Sequence, residues 1–324
     1  MPQPGELLER SIAGERRALG RLLSLVEHGG APADEIVELV HSRAPAEAPV
    51  IGITGAPGTG KSTLVGHLAV EMAGTGGRPA VLAVDPSSPL TGGAILGDRI
   101  RMDGVAAGRA FIRSMATRGH AGGLALAVPA ALRLFEACGY GPLVVETVGV
   151  GQVEVDVTRT ADTTVVMMAP GMGDAVQANK AGLLEVADVI VVNKADRPGA
   201  DDTRRDLEHM LDLGRITGLA GAAQHWRPEI IMTTAAAGDG ADRVHEAIRA
   251  HRAHLAETGR LQARRQARIR QEVLDRVTQH LGATASQYLS TQPAALREAL
   301  EGHSTPAATS AKIIEHLLSN QPPG

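Results

Sequence analysis

Residues 55–62 read Gly55-Ala56-Pro57-Gly58-Thr59-Gly60-Lys61-Ser62, which fits the pattern G-x-x-x-x-G-K-[ST]. The glycines allow consecutive backbone N–H groups to turn inward around phosphate oxygens. Lys61 brings a point charge to the β and γ phosphates of a nucleotide, and the Ser62 hydroxyl is placed to bind Mg²⁺. Thr63 follows in the same turn, and a helix starting here adds its positive N-terminal end. The apolar run Val50-Ile51-Gly52-Ile53-Thr54 precedes the motif. A strand before and a helix after are what phosphate binding requires, and they set this motif apart from a glycine-rich turn without ligand.

The base of the nucleotide is addressed further on. Val189–Val192 runs into Asn193-Lys194-Ala195-Asp196. An Asn amide and a carboxylate spaced this way pair with the edge of guanine, because the carboxylate accepts from the ring N–H and the exocyclic amine. Adenine lacks that pattern, so a site built on these bonds rejects it by leaving polar groups unpaired. Thr234-Ala235-Ala236, after the apolar run Glu229–Met232, is a candidate to close over the base with backbone N–H groups.

Metal and switch candidates fill the space between. Leu143–Glu146 is a strand ending in an acid, followed by Thr147-Val148-Gly149. The placement allows Glu146 to hold the Mg²⁺ shell or order water, and Gly149 to give its N–H to the γ phosphate. Asp85, ending the run Ala80–Val84, and Asp98 are further candidates for the metal shell, with a cap or turn role as the alternative for each. Arg113–His120 reads as a mobile, polar segment suited to sensing the γ phosphate, with Arg118 as a candidate transition-state cation. Gln152 stands three positions after Gly149, so no water-positioning glutamine is assigned by spacing, and slow intrinsic turnover is expected.

These residues need a scaffold that presents them together. Short apolar runs at 50–54, 80–84, 143–146, 163–168, 189–192 and 229–232 alternate with helical stretches at 61–73, 122–137 and 201–213. Continuous apolar strands interleaved with helices predict an α/β fold of the P-loop NTPase type, a mostly parallel sheet flanked by helices. Leu, Ile and Val at helical spacing predict a helical N-terminal extension over residues 1–48. The P-loop domain is then expected at 49–255 and a helical C-terminal region at 256–324.

Composition narrows the function classes. The 324 residues are 44% hydrophobic but only 2% aromatic, and the net charge is −4. Neither a basic surplus nor stacking platforms are present, which argues against nucleic-acid binding. A single cysteine, Cys138, rules out an internal disulfide and suits a reducing compartment. No run of about 18 apolar residues spans a membrane, so a soluble, cytoplasmic protein is expected. His251 and His254 read as a solvated helix face. Arg260, Arg264, Arg265, Arg268 and Arg270 read as a solvated or dimer-facing helix, and Trp226 as a packing anchor.

Taken together, Gly55–Thr63, Val84–Ser88, Gly92–Asp98, Arg113–Gly123, Val145–Gln152 and Asn193–Asp196 resemble the MeaB/ArgK-like GTPases, the family of the methylmalonyl-CoA mutase-associated GTPase. The resemblance implies a homodimeric GTPase that binds GTP and GDP with Mg²⁺, binds no cobalamin itself, and pairs its C-terminal region with a second copy. It implies a chaperone role toward a cobalamin-dependent acyl-CoA mutase, gating adenosylcobalamin loading and protecting or reactivating the enzyme. It also implies an additional switch loop at 171–180, in which Asp174, Gln177 and Lys180 communicate with the mutase and Lys180 reaches the nucleotide. Competing readings are a metal-insertion GTPase, which should carry Cys/His clusters, an ATP-dependent kinase or transport ATPase, and a dimer that binds nucleotide without hydrolysis.

Overall fold

The structure, a computed structural model, describes the chain apart from residues 1–2, 42, 44–47, 86–101, 103, 107, 117–122, 148–158, 172–181, 183, 218–225, 292–296, 298 and 320–324. Seven strands form one sheet: β1 (Val50–Gly55), β2 (Ala80–Asp85), β3 (Phe111–Ala116), β4 (Leu143–Thr147), β5 (Thr163–Met168), β6 (Val189–Asn193) and β7 (Glu229–Thr233). All pair in parallel, in the order β3-β2-β4-β1-β5-β6-β7. Every position of β1, β4, β5 and β6 is buried, which is why these segments read as unbroken apolar runs rather than alternating ones.

Side chains still alternate between two covered faces. Val50, Leu82, Phe111 and Val145 pack under α1 (Pro4–Ile12), α2 (Arg16–His28), α3 (Ala31–His41) and α5 (Gly123–Ala137). Ile51, Ile53, Val81, Val144 and Val165 pack under α4 (Lys61–Gly74) and α7 (Ala241–Glu257). Leu207 of α6 (Ala200–Thr217) covers Val166, Ile190 and Val192. The N-terminal helices therefore share the core of the sheet, and the compact unit runs from Met1 to Arg268. Cys138 is buried, and burial pushes its thiol up to about 11, which leaves it protonated and inert.

Two sequence expectations change at the N-terminal end of the strands. Asp162 and Asp188 immediately precede β5 and β6, and their carboxylates accept from the backbone N–H of Val50 (3.1 Å) and Thr164 (2.8 Å). The first turns of α8 (Arg260–Thr291) supply the countercharges. Arg264 forks onto Asp188 with both Nη atoms at 2.8 Å, and its Nη1 also donates to the Asp162 carbonyl at 2.7 Å. Arg265 reaches Asp162 at 3.2 Å, and Arg268 donates to the Thr160 carbonyl at 2.6 Å. This part of the basic run is thus not a solvated face. It is a staple between a helix and the two strand starts, and its acidic partners lie about a hundred positions away in the chain for Asp162 and 76 for Asp188.

His251 is likewise no surface residue, being 1% exposed. Its Nε2 lies 3.2 Å from Asp188 Oδ1, its Nδ1 lies 2.9 Å from Thr163 Oγ1, and the Trp226 ring tilts against it at 5.0 Å. Trp226 is the packing anchor that its sequence position suggested, with its Nε1 donating to the Asp188 carbonyl at 2.8 Å. Because Arg264 already balances Asp188, the neutral imidazole satisfies both contacts by donating from Nε2 and accepting at Nδ1. Burial accordingly lowers the His251 pKa to about 4.

The second compact unit, Ile269–Gly324, holds the remainder of α8 together with α9 (Pro306–Ser319). Within it the Tyr288 and His316 rings lie 4.7 Å apart. Ile269, Val273, Val277 and Leu281 stand at four-residue spacing on α8, each 43–54% exposed. Among the described residues, no helix is long and apolar enough to cross a membrane.

The buried imidazole gives a testable pH dependence. The unfolded chain protonates His251 near its ordinary value while the folded chain does not, so this contribution is complete above about pH 6.5 and is lost as pH falls toward 4. The slope it adds is at most about 1.4 kcal/mol per pH unit. Asp162, pushed up by burial, titrates in the opposite sense, so the comparison is made between two chains that both carry it. Urea midpoints from pH 7 to 4 should fall less steeply for His251→Gln than for the parent; identical slopes would contradict the neutral assignment.

Candidate nucleotide site

Parallel strands leave all their C-terminal ends on one side, and the chemistry-bearing segments gather there. The chain leaves β1 at Gly55 with φ +142°, where a Cβ would sit 2.2 Å from the Met167 carbonyl oxygen on β5. Only glycine fits that crossing. The loop then folds on itself, Thr59 Oγ1 donating to the Ala56 carbonyl at 2.9 Å, and enters α4 through Gly60 in the left-handed region. The first turn of α4 contains no acidic residue, so its N-terminal amides face the loop with their positive field intact. Lys61 is buried, and its Nζ donates to the carbonyls of Gly55 (2.8 Å) and Ala56 (3.1 Å), inside the same cradle.

Beside it stands the hard-oxygen pair. Ser62 Oγ donates to Glu146 Oε1 at 2.7 Å, with both residues buried. A hydroxyl and a carboxylate brought together at a phosphate loop are the oxygen donors that Mg²⁺ prefers, so the residues present fit that ion. Asp85 ends β2, the strand that pairs with β4, with Ala83 level with Glu146. Thr147, the next residue, donates to Thr54 Oγ1 at 3.2 Å on the opposite face of the sheet.

The base loop is organised by Asn193. Its Nδ2 donates to the Thr59 carbonyl at 2.6 Å, and its Oδ1 accepts from Thr233 Oγ1 at 3.1 Å and the Ala235 N–H at 2.9 Å. The side chain, 3% exposed, therefore joins the phosphate loop, the base loop and the 234–236 loop. Lys194 has φ +60°, and its Nζ donates to the Gly58 carbonyl at 2.6 Å, which lays its aliphatic stem between the base loop and the phosphate loop. Asp196 is exposed. In the 234–236 segment, the Thr234 amide bonds the Asp239 carbonyl and the Ala235 amide bonds Asn193, whereas the exposed Ala236 takes part in neither bond.

The structure thus joins Gly55–Thr63, Glu146, Asn193, Lys194 and Ala235 by direct contacts at the C-terminal ends of the strands, with Asp196, the rest of 234–236 and the end of β2 nearby in the chain or the sheet. Asp98, Gly149, Asp174, Gln177, Lys180, Gln152 and Arg118 lie outside the described residues. Arg113 differs from expectation. It is part of edge strand β3, and its Nη2 bonds Glu27 Oε2 at 2.8 Å and Ser24 Oγ at 3.1 Å, so it is fixed rather than mobile. Thr59 and Thr233 join the site as partners of Asn193, a role that no local sequence pattern marks. Only the tight approach at Gly60 signals the contact, and it is visible in three dimensions alone.

A family profile described as "Methylmalonyl Co-A mutase-associated GTPase MeaB" matches residues 19–288. The chain belongs to the MeaB family. The GTPase ArgK of Escherichia coli is 36% identical over 286 residues, covering 86% of each chain. A Pyrococcus horikoshii relative is 47% identical over 274 residues, 83% of this chain and 84% of that one. A fused isobutyryl-CoA mutase of Cupriavidus metallidurans is 37% identical over 212 residues, 64% of this chain but 19% of that protein. A crystal structure described as a LAO/AO transport system kinase superposes with a TM-score of 0.66 at 26% identity, covering 97% of both chains. As a MeaB-family P-loop protein, the chain binds guanine nucleotide and hydrolyses GTP.

The Asn193 bridge can be broken without touching Asn193. A Cβ at Gly60 would lie 2.3 Å from Asn193 Nδ2, on a residue at φ +96°. Gly60→Ala should therefore weaken GTP and GDP binding alike by about 10- to 100-fold, matching about 1–3 kcal/mol for a buried polar group deprived of its partner. Asn193→Ala should do the same. Titration with a fluorescent guanine nucleotide checks both, and parent-like affinity in the Gly60 variant would show that the bridge does not govern binding.

Proposed function

We propose that this MeaB-family GTPase is a chaperone for a cobalamin-dependent acyl-CoA mutase, gating adenosylcobalamin loading and protecting or reactivating the enzyme. The observation that carries this reading is the fused isobutyryl-CoA mutase. In that polypeptide a stretch homologous to this chain is joined to a mutase, which holds two partners at high effective concentration. Homologous stretches fused in one protein are natural partners when carried on different chains.

Within the site, the inward amides of 58–62 and the Lys61 ammonium hold the β and γ phosphates. Ser62 and Glu146, with Asp85 from the neighbouring strand, hold Mg²⁺, which when bound neutralises charge on the phosphate oxygens. Asp196 accepts from the guanine ring N–H and amine, while Asn193 sets the position of its loop. The Lys194 stem covers the ring and the Ala236 amide closes over it. Gly149 contacts the γ phosphate, and Lys180 reaches the nucleotide when the mutase engages. Two copies pair through the second unit, where the apolar stripe Ile269, Val273, Val277 and Leu281 offers a helix face suited to another helix. The setting we assign is the cytoplasm.

Calorimetry against purified apo-mutases of the methylmalonyl-, isobutyryl-, hydroxyisobutyryl- and ethylmalonyl-CoA types tests the partner. One of them should bind with a nucleotide-dependent affinity and raise single-turnover GTP hydrolysis at least about tenfold, well within the range of activators acting in trans. Absence of binding to all four, in GTP-analogue, GDP and nucleotide-free states, would overturn the reading. Independently, Ser62→Ala should raise the Mg²⁺ concentration needed for half-maximal hydrolysis by about tenfold, the loss of roughly one charge-assisted oxygen contact.

A further inference from the structure

Edge strand β3 lies at the far side of the sheet from the base loop, with β2 and β4 between it and the phosphate loop. It runs parallel to β2, so Ala116, its last residue, is level with Asp85 at the nucleotide end of the sheet. An edge strand offers outward amides with no neighbouring strand to hold them. Here helix α2 takes that place.

The contacts are distributed along the whole strand. At its start, Arg16 Nη2 donates to the Ala110 carbonyl at 3.0 Å and the guanidinium stacks 5.0 Å above the Phe111 ring. In its middle, Arg113 Nη2 meets Ser24 Oγ and Glu27 Oε2. At its end, the Ala116 N–H donates to Glu27 Oε1 at 3.0 Å. The lengths agree. Eleven helical steps from Arg16 to Glu27 span about 16 Å, and five strand steps from Phe111 to Ala116 span about 17 Å. The helix is a splint of the same length as the strand, pointing the same way.

Glu27 is the decisive contact, because one carboxylate holds both the final amide of the strand and the Arg113 guanidinium. Its side chain is only 8% exposed, so water competes poorly for either bond. We propose that Glu27 is a positioning residue for GTP hydrolysis: it fixes Ala116 and Arg113, and with them the end of β3, against the ends of β2 and β4. The strand order makes the effect selective. β3 stands on the side of the sheet that carries Asp85 and Glu146, whereas the loops to which we assign base recognition follow β6 and β7. Loss of Glu27 disturbs the γ-phosphate side and spares recognition of the base.

The test uses the full chain and separates these two sides. Glu27→Ala should lower the single-turnover hydrolysis rate at saturating GTP and Mg²⁺ by about tenfold, the scale of a sub-ångström misplacement of reacting groups. GDP affinity should stay within about twofold, since a group that acts only in the transition state leaves ground-state binding alone. Glu27→Gln keeps an acceptor for the Ala116 amide while losing the ion pair. It serves if the alanine variant does not fold, with an expected loss of about threefold in rate and unchanged GDP affinity. Ser24→Ala, which leaves the Glu27 contacts in place, should behave as the parent. Parent-like hydrolysis in a folded Glu27 variant would overturn the proposal. So would a parallel loss of GDP affinity and hydrolysis, which would mark Glu27 as a general support of the fold.

Discussion

A carboxamide in a dry site can hold three loops only if each of its polar atoms finds a partner, and Asn193 meets that condition. Its amide group donates to the phosphate loop at Thr59, and its oxygen accepts from Thr233 and Ala235. Each bond is worth about 1 kcal/mol net, but a buried donor or acceptor left alone costs about 1–3 kcal/mol. The arrangement is therefore all or none. Any displacement of one loop strands a polar atom belonging to another, so the cradle for the phosphates and the surface for the base are positioned together. Gly60 belongs to the same constraint, since the Asn193 amide occupies the space where a Cβ would be.

The other end of the sheet shows how the strands are kept from sliding. Asp162 and Asp188 each close a backbone amide of the adjoining strand and then receive arginines from α8. Ion pairs of this kind stabilise little against an apolar alternative, but removing one partner leaves a charge uncompensated in a buried place. Their value lies in register. β5 and β6 are pinned at their starts, and the base loop emerges from the end of β6 only five residues later, so the position of Asn193 is set from both ends of one short strand.

Much of this was legible in the residues, and the exceptions share a cause. The phosphate loop, the base loop and six of the strands are local signals, carried by contiguous apolar runs and a motif that must sit between a strand and a helix. β3 escaped because it is an edge strand carrying Arg113 and Ser114, whose polarity reads as a loop until Ser24 and Glu27 of α2 are seen beside it. The same holds for the arginines of α8 and for His251. A run of arginines reads locally as a solvated or dimer-facing helix, while the carboxylates that matter lie far off in the chain. A charged residue's environment is a property of topology, and local pattern cannot supply it.

Topology also divides the labour of the site. With β1 central, the acids that suit a metal lie toward β2 and the groups that suit a base lie toward β6 and β7. The phosphate loop belongs to both sides, and its couplings differ in kind. Toward the base it is joined by neutral hydrogen bonds to Asn193 and by the Lys194 contact with Gly58. Toward the metal side the link is the Ser62–Glu146 pair, a charge-assisted contact between groups that both favour a divalent cation over each other. A pair that gives way to an ion can report the ion's arrival, whereas a satisfied carboxamide cannot. The half that a divalent cation could rearrange is thus the half that the N-terminal helices brace, and the half held by Asn193 is the one built to stay still.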